Sequence, residues 1–424
     1  MKKLIQSLLA YFAKQILHKH RPTVVAVTGS VGKTSTRNAI AAVLSTKFSV
    51  RSPSENYNNE FGVPLTIIGE KSGGKSIFGW LQVFRKAIAT RYTLHATSYP
   101  QILVLEYGLD HPGDISYLCQ IAPPDISVLT AVTPVHAEFF TSVEDLAKEK
   151  GQIVRGMKSG GVAFLNVDEP LVMAERTDCL TVTYGFNSDA DVRVENYQTD
   201  AYMDRCATRF DLCLYEERTP VVLPNLLGRG QVYAALAAVA VGKQLGMTTD
   251  EIVTGLATLQ PQAGRMRPLA GIKGTLLLDD TYNAAPASMS AALDVLRDFS
   301  PVQQGRRIAV LGKMAELGRY SEDEHRLLGL HAAEVADILV CVNEEALDIR
   351  RGAIEAGMDE THIHYFKDST EAGRWLDFNV KQGDVILIKG SQSSRMEKAV
   401  KDILAQPTQA KNLLVRQYGT WLET

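Results

Sequence analysis

A chain of 424 residues exceeds what one ordinary core accommodates, and roughly two to three domains are expected. Its composition is that of a soluble globular protein, 45% hydrophobic and 22% charged, and a formal net charge of −3 gives no electrostatic case for nucleic acid as the main partner. Five scattered cysteines (Cys119, Cys179, Cys206, Cys213 and Cys341) without CxxC spacing argue against a disulfide framework or a zinc site, and for a reducing cytoplasm.

No apolar run reaches the roughly 18 residues of a membrane span. At the N-terminus, Leu4, Ile5, Leu8, Leu9, Phe12, Ile16 and Leu17 fall at helical spacing, with Lys14 and the basic run His18 to Arg21 close by. With no small-residue cleavage site, residues 1–22 read as an amphipathic basic helix rather than a signal peptide. Packing on the first domain is the plain expectation for it, and contact with a membrane surface the other. The segment Ser76 to Lys86, containing Phe78, Trp80 and Leu81, carries the same pair of readings.

Residues Val24 to Thr28 form an apolar strand that runs into Gly29, Ser30, Val31, Gly32, Lys33, Thr34 and Ser35. Glycines let successive N–H groups turn toward one phosphate. The following helix adds its positive end, Lys33 a charge, and Thr34 a hydroxyl for Mg²⁺. The strict G-x-x-x-x-G-K-[ST] spacing is not met, because Val27 stands where its first glycine would be.

Beyond this cradle, a helix and a polar loop (Ser52 to Glu60) precede apolar strands at Ile102–Leu105, Ile126–Thr130 and Val162–Asn166. Short apolar strands alternating with helices predict a parallel sheet covered on both faces. Ligands in such sheets bind at the carboxyl ends of the strands. The cradle, Glu106 and His136 all fall at such ends. Glu106 suits a carboxylate sharing Mg²⁺ with Thr34, the plainer alternative being structural pairing. Residues from about Val192 to Val222 alternate polar and apolar, predicting antiparallel strands on the side of the sheet. Helices at Val232–Leu245 and Asp250–Leu259 follow, then a linker at Pro261 to Gly264. A second α/β pattern has strands at Gly274–Asp280, Arg307–Gly312, Ile338–Val342 and Val385–Gly390. The expected architecture is therefore α/β. It comprises the N-terminal helix (1–22), a central P-loop domain with a parallel sheet (23–262), and a smaller doubly wound, Rossmann-like domain (263–424).

Several motifs in order resemble the Mur ligase family. They are the cradle, Asn56-Tyr57-Asn58-Asn59-Glu60-Phe61-Gly62, Glu106-Tyr107-Gly108, His111-Pro112-Gly113 and His136-Ala137-Glu138-Phe139. Asp279-Asp280-Thr281-Tyr282-Asn283-Ala284-Ala285-Pro286, and Lys389-Gly390-Ser391 followed by Arg395-Met396-Glu397, resemble one branch of it. That branch adds D-alanyl-D-alanine to a UDP-muramoyl tripeptide during peptidoglycan precursor synthesis in the cytoplasm.

The resemblance implies an ATP- and Mg²⁺-dependent amide-bond ligase working through an acyl phosphate. It implies that Lys150 is carbamylated and, with His136, holds a second Mg²⁺, so that Lys33, Lys150 and His136 carry the catalysis. Arg265 would reach the phosphates, Asp280 the ribose, and Asn283 and Gln231 the nucleotide. Asn58, Asn59, Lys389, Ser391 and Arg395 would face the other substrates. Gln231 replaces the family's usual asparagine and keeps its donor and acceptor on a longer arm. Lys313 stands where an aspartate is usual. The branch also carries a UDP-sugar-binding domain ahead of the cradle, for which about 22 residues are too few. The alternatives are amide addition to another carboxylate (a lipid-linked or non-standard wall precursor, or a folate) and a non-catalytic ATP-binding subunit.

Overall fold

The computed structural model describes residues 2–53, 56–92, 99–133, 140, 142–203, 205–214, 217–302 and 304–422. Two sheets organise it. The first contains β1 (Thr23–Thr28), β2 (Val50–Arg51), β3 (Ile102–Glu106), β4 (Ile126–Leu129), β5 (Val162–Asn166), β6 (Leu180–Gly185), β7 (Val192–Ala201), β8 (Cys206–Leu214) and β9 (Glu217–Pro224). Its spatial order is β2-β3-β1-β4-β5-β6-β7-β8-β9. All pairs from β2 to β7 are parallel, and β8 and β9 add antiparallel to the side.

The central strands are buried on both faces, which is why they read as unbroken apolar runs. Val25, Val27 and Val104 enter one core, while Val24, Ala26 and Leu103 enter the other. Strand β6 is less legible, because Thr181 and Thr183 are only half-buried and Leu180 is exposed. The helix expected from Val232 starts earlier, at Arg229, where Gly228 at φ 87° breaks the preceding chain.

The first four helices are α1 (Lys2–His20), α2 (Lys33–Ser45), α3 (Gly62–Ile68) and α4 (Ile77–Tyr92), and all but α2 cover the second of these cores. Of these, α2 packs with the first core through Ile40, Val43 and Leu44. Helix α1 buries Leu9, Ala13 and Ile16 in the second, so the packed-helix expectation for the N-terminus is met. Two further helices, α5 (Asp114–Ile121) and α6 (Val143–Lys150), close that face.

The chain crosses to the second sheet after residue 257. That sheet comprises β10 (Arg267–Ala270), β11 (Leu276–Asp280), β12 (Arg307–Gly312), β13 (Ile338–Val342), β14 (Ile363–Phe366) and β15 (Val385–Lys389), in the order β10-β11-β15-β12-β13-β14. It is parallel except for β10 at its edge. Covalently the two sheets meet at Gly264, whose φ of 66° and whose N–H bond to Asp279 Oδ2 (2.9 Å) anchor the crossing on the end of β11. Burial pushes the Asp279 carboxyl up to about 6, against the opposing pull of Thr281 and the Gly264 N–H.

Candidate active site

The end of β1 turns sharply into α2. A Cβ on Gly29 would meet Thr130 Oγ1 at 2.0 Å, so only glycine permits β4 to close on the loop. Gly32, at φ 84°, is the N-cap of α2, and no side chain caps that first turn. The loop is further fixed from β4's exit, with Ser30 N–H donating to Ala131 O (2.7 Å) and Thr130 Oγ1 to Val31 O (2.6 Å). The result is a glycine turn fixed at a helix N-terminus, the geometry that a phosphate cradle calls for.

Two lysines converge on this loop. Lys33 Nζ donates to Gly29 O (2.7 Å) and Ser30 O (3.1 Å), and Lys150 Nζ, at the end of α6, donates to Gly29 O (3.1 Å). Lys150 is 1% exposed. Burial, and then the neighbouring Lys33, hold its pKa well below the usual lysine value. Burial likewise lowers that of Lys33, with Glu106 pulling the other way.

At the end of β3, Glu106 is buried but not alone. Its Oε2 accepts from Thr34 Oγ1 (3.0 Å) and Arg37 Nη1 (3.2 Å), and its Oε1 from Asn58 Nδ2 (3.3 Å). Arg265, arriving from the second half of the chain, donates from Nη2 to Thr34 Oγ1 at 3.1 Å. A relay of polar groups thus crosses between the sheets. Arg265 also lies over the Tyr282 ring, 4.1 Å from its centroid, and Asn56 Nδ2 donates to the Tyr282 hydroxyl. Arg416 clamps the same loop from far along the chain. It donates to the Thr281 and Tyr282 carbonyls and to Glu397 Oε2 (2.9 Å).

Between the two halves lies a cleft of about 660 Å³. Ser30, Val31, Gly32, Lys33, Thr34, Ser35, Asn58, Asn59, Glu106 and Gln231 line it from the first half, and Arg265, Asp280, Asn283 and Lys389 from the second. Both carboxylate oxygens of Asp280 are engaged: Oδ2 pairs with Lys389 Nζ at 2.7 Å and Oδ1 accepts from Met266 N–H at 3.0 Å. Lys389 is 3% exposed and also donates to Asn283 O, so it braces the Asp280–Asn283 loop. Ser391 and Arg395 do not line the cleft. Ser391 is buried among Ser393 and Ser394, while Arg395 pairs with Glu397 and bonds Trp421 O. Lys313 pairs with Glu345 at 2.8 Å, away from the cleft. His136 lies outside the described residues, and Gly29 shapes the loop from beneath.

The sequence reading did not single out Arg37, Asn56, Tyr282 or Arg416 as site residues. Arg37 had a signal, since it follows Thr34 by three residues on the same helix face. Asn56 and Tyr282 sat inside quoted motifs without a role. Arg416 had none, the two carbonyls it clamps being 134 and 135 residues away.

The Mur ligase middle domain matches residues 27–242, and the Mur ligase glutamate ligase domain matches residues 264–392. The UDP-N-acetylmuramoyl-tripeptide–D-alanyl-D-alanine ligase of Escherichia coli (strain K12) is 32% identical over 388 residues, covering 89% of this chain and 76% of the relative. The enzyme of the same name from Bacillus subtilis (strain 168) is 28% identical over 400 residues, covering 94% and 79%. Among solved structures, the MurF ligase from Thermotoga maritima in complex with ADP superposes with a TM-score of 0.78 at 29% identity, covering 96% of this chain and 84% of that one. MurF from Acinetobacter baumannii gives 0.77 at 26% identity, covering 94% and 79%. With the middle-domain model spanning half the chain and the cradle, relay and cleft in place, the chain belongs to the Mur ligase family.

Proposed function

We propose that this chain is an ATP-dependent ligase that adds D-alanyl-D-alanine to UDP-N-acetylmuramoyl-tripeptide, a cytoplasmic step of peptidoglycan precursor synthesis. The observation that carries the reading is the polar relay Arg265–Thr34–Glu106, which sets a phosphate cradle against the second half of the chain across one cleft. The relatives named for this reaction and the ADP-bound neighbour support it.

In this reading the tripeptide carboxylate attacks the γ-phosphorus of ATP. An O–P bond forms, the bond to the bridging oxygen breaks, and ADP departs. The D-alanyl-D-alanine amine then attacks the acyl carbon, loses a proton and expels phosphate. Such transfers need alignment and charge neutralisation rather than a protein nucleophile. Lys33 swings from the loop carbonyls to the phosphates, and Arg265 reaches them from the opposite wall. Asp280 and Asn283 take the ribose side, with Gln231 at the nucleotide, and Asn58 and Asn59 present the acceptor.

The donor set fits Mg²⁺, since the Thr34 hydroxyl and Glu106 carboxylate are hard oxygen ligands beside the cradle, with phosphate and water to complete the shell. When bound, the ion neutralises developing phosphate charge. The resemblance to the family implies a second ion, which His136 and a carbamylated Lys150 would hold. The depressed pKa of Lys150 favours the neutral amine that adds to CO₂, forming an N–C bond with loss of one proton. Ser391 and Arg395 act through the loops they brace. Helix α1 contributes a peripheral membrane contact, and no helix among the described residues is long and apolar enough to cross a bilayer.

Phosphate release measured with UDP-N-acetylmuramoyl-tripeptide, with and without D-alanyl-D-alanine, tests the proposal. Release should require both substrates and vanish in Lys33→Ala and Lys150→Ala. Release independent of the dipeptide overturns the ligase reading, and full activity in Lys150→Ala removes the carbamate.

A further inference from the structure

We propose that the outward faces of α1 and α4 form one continuous docking surface for an anionic lipid bilayer, both helices lying in the plane of its interface. This extends the peripheral contact assigned above to α1 and rests on that part of the reading, not on the ligase chemistry.

The two helices are locked side by side and run the same way. Phe12 packs on Phe84 with centroids 6.0 Å apart, and near the C-terminal ends Lys19 Nζ donates to Arg91 O (2.6 Å) while His20 Nε2 meets Thr90 O (2.9 Å). Their inner residues are spent on the core, Leu9, Ala13 and Ile16 from α1 and Val83 and Ala87 from α4. What remains outward is nevertheless apolar. On α1, Leu4, Leu8 and Tyr11 recur at spacings of four and three, and on α4, Phe78, Leu81, Ile88 and Tyr92 follow one stripe. Phe78 is 84% exposed and Ile77 70%, values a packed helix avoids over adjacent positions. Both stripes flank the seam where the helices meet, since Arg91, lying over the Tyr11 and Tyr92 rings, joins them.

Charge decides the occupant. Residues 2–21 and 70–92 hold ten Lys or Arg against a single acid, Glu70, and neither helix contains an acidic residue. The rest of the chain carries 35 Lys or Arg against 47 acids, so these two segments are net positive while the remainder is net negative. A second copy docking through it would set those basic residues against themselves, as a two-fold interface requires. An anionic bilayer supplies the opposite sign and an apolar layer at the depth such stripes reach. The face also adjoins the cleft. Phe61 touches Lys2 and Trp80, and the loop it ends carries Asn58 to Glu106, so docking brings the acceptor loop to the lipid surface.

The experiment is sedimentation of the full chain with vesicles of phosphatidylcholine alone or doped with phosphatidylglycerol, at low and high salt. Binding is expected on the doped vesicles only, weakened by salt. It should weaken roughly fivefold for each lysine neutralised in Lys3→Gln and Lys86→Gln, and be lost in Phe78→Ser/Leu81→Ser. Phosphate release from soluble substrates should be unchanged in these variants. Absence of binding to doped vesicles, equal binding to neutral ones, or a concentration-dependent dimer abolished by the serine variant each overturns the docking surface. Vesicle binding by a chain that releases no phosphate would sink the ligase reading and leave the surface standing.

Discussion

Lys150 shows what a functional position costs the fold. An ammonium group with 1% exposure, donating to a carbonyl that Lys33 also claims, is disfavoured by burial and by like charge. Its pKa is depressed in the folded chain, so the unfolded chain holds more protons between that value and 10.5. The penalty is therefore full at low pH and is relieved as pH rises toward 10.5. In carbonate-free buffer, Lys150→Met should raise stability near neutral pH by roughly 1–3 kcal/mol, flatten that rise, and abolish turnover. Thermal unfolding across pH checks this, and a destabilised variant would contradict the picture. From the residues alone Lys150 is an ordinary helix lysine. Its burial comes from β1's loop folding over α6, a contact spanning 121 residues that no local pattern encodes.

At the scale of elements, parallel strands were legible because burial on both faces writes a continuous apolar run. The half-exposed β6 and β14, with Thr181, Thr183, His364 and Tyr365 among their residues, leave no such trace. Helix α2 was legible at its start and not in its second turn, where Arg37 meets Glu106 with both side chains buried. Removing the guanidinium strands a buried carboxylate, and Arg37→Met should lose about 3–5 kcal/mol. Added Mg²⁺ should restore part of that loss, giving a larger rise in Tm for the variant than for the parent. Equal rises would mean that the ion does not use Glu106.

Across the whole molecule, the two halves meet on the cleft side through Arg265 on Thr34 and Asn56 on the Tyr282 hydroxyl, and elsewhere through Cys206 and Leu227, which enter the core of the second half. Tyr282 is the common element, held by Arg416 from the C-terminal segment. Tyr282→Phe keeps the ring under Arg265 and should change kcat/KM only a few-fold. Tyr282→Ala also removes the stacking partner and should lower it about 10- to 100-fold, because misplacing a positioning group by an ångström is that costly. Steady-state kinetics of the pair distinguish ring from hydroxyl, and equal losses would place the effect in the hydroxyl alone. Motif order in the sequence announced both halves of the site, yet not which residues bridge them, since a bridge exists only once two separately folded surfaces face each other.

The net positive charge of residues 2–21 and 70–92, set against a net negative charge over the rest of the chain, gives the molecule an electrical front and back. Approaching a negatively charged sheet, such a body experiences a torque before any atom touches. Its acidic remainder is pushed toward water while the two helices swing inward. That steering acts over a screening distance of about 8 Å at physiological salt. Ionic strength would then govern how often arrivals are correctly oriented, separately from how long the molecule stays.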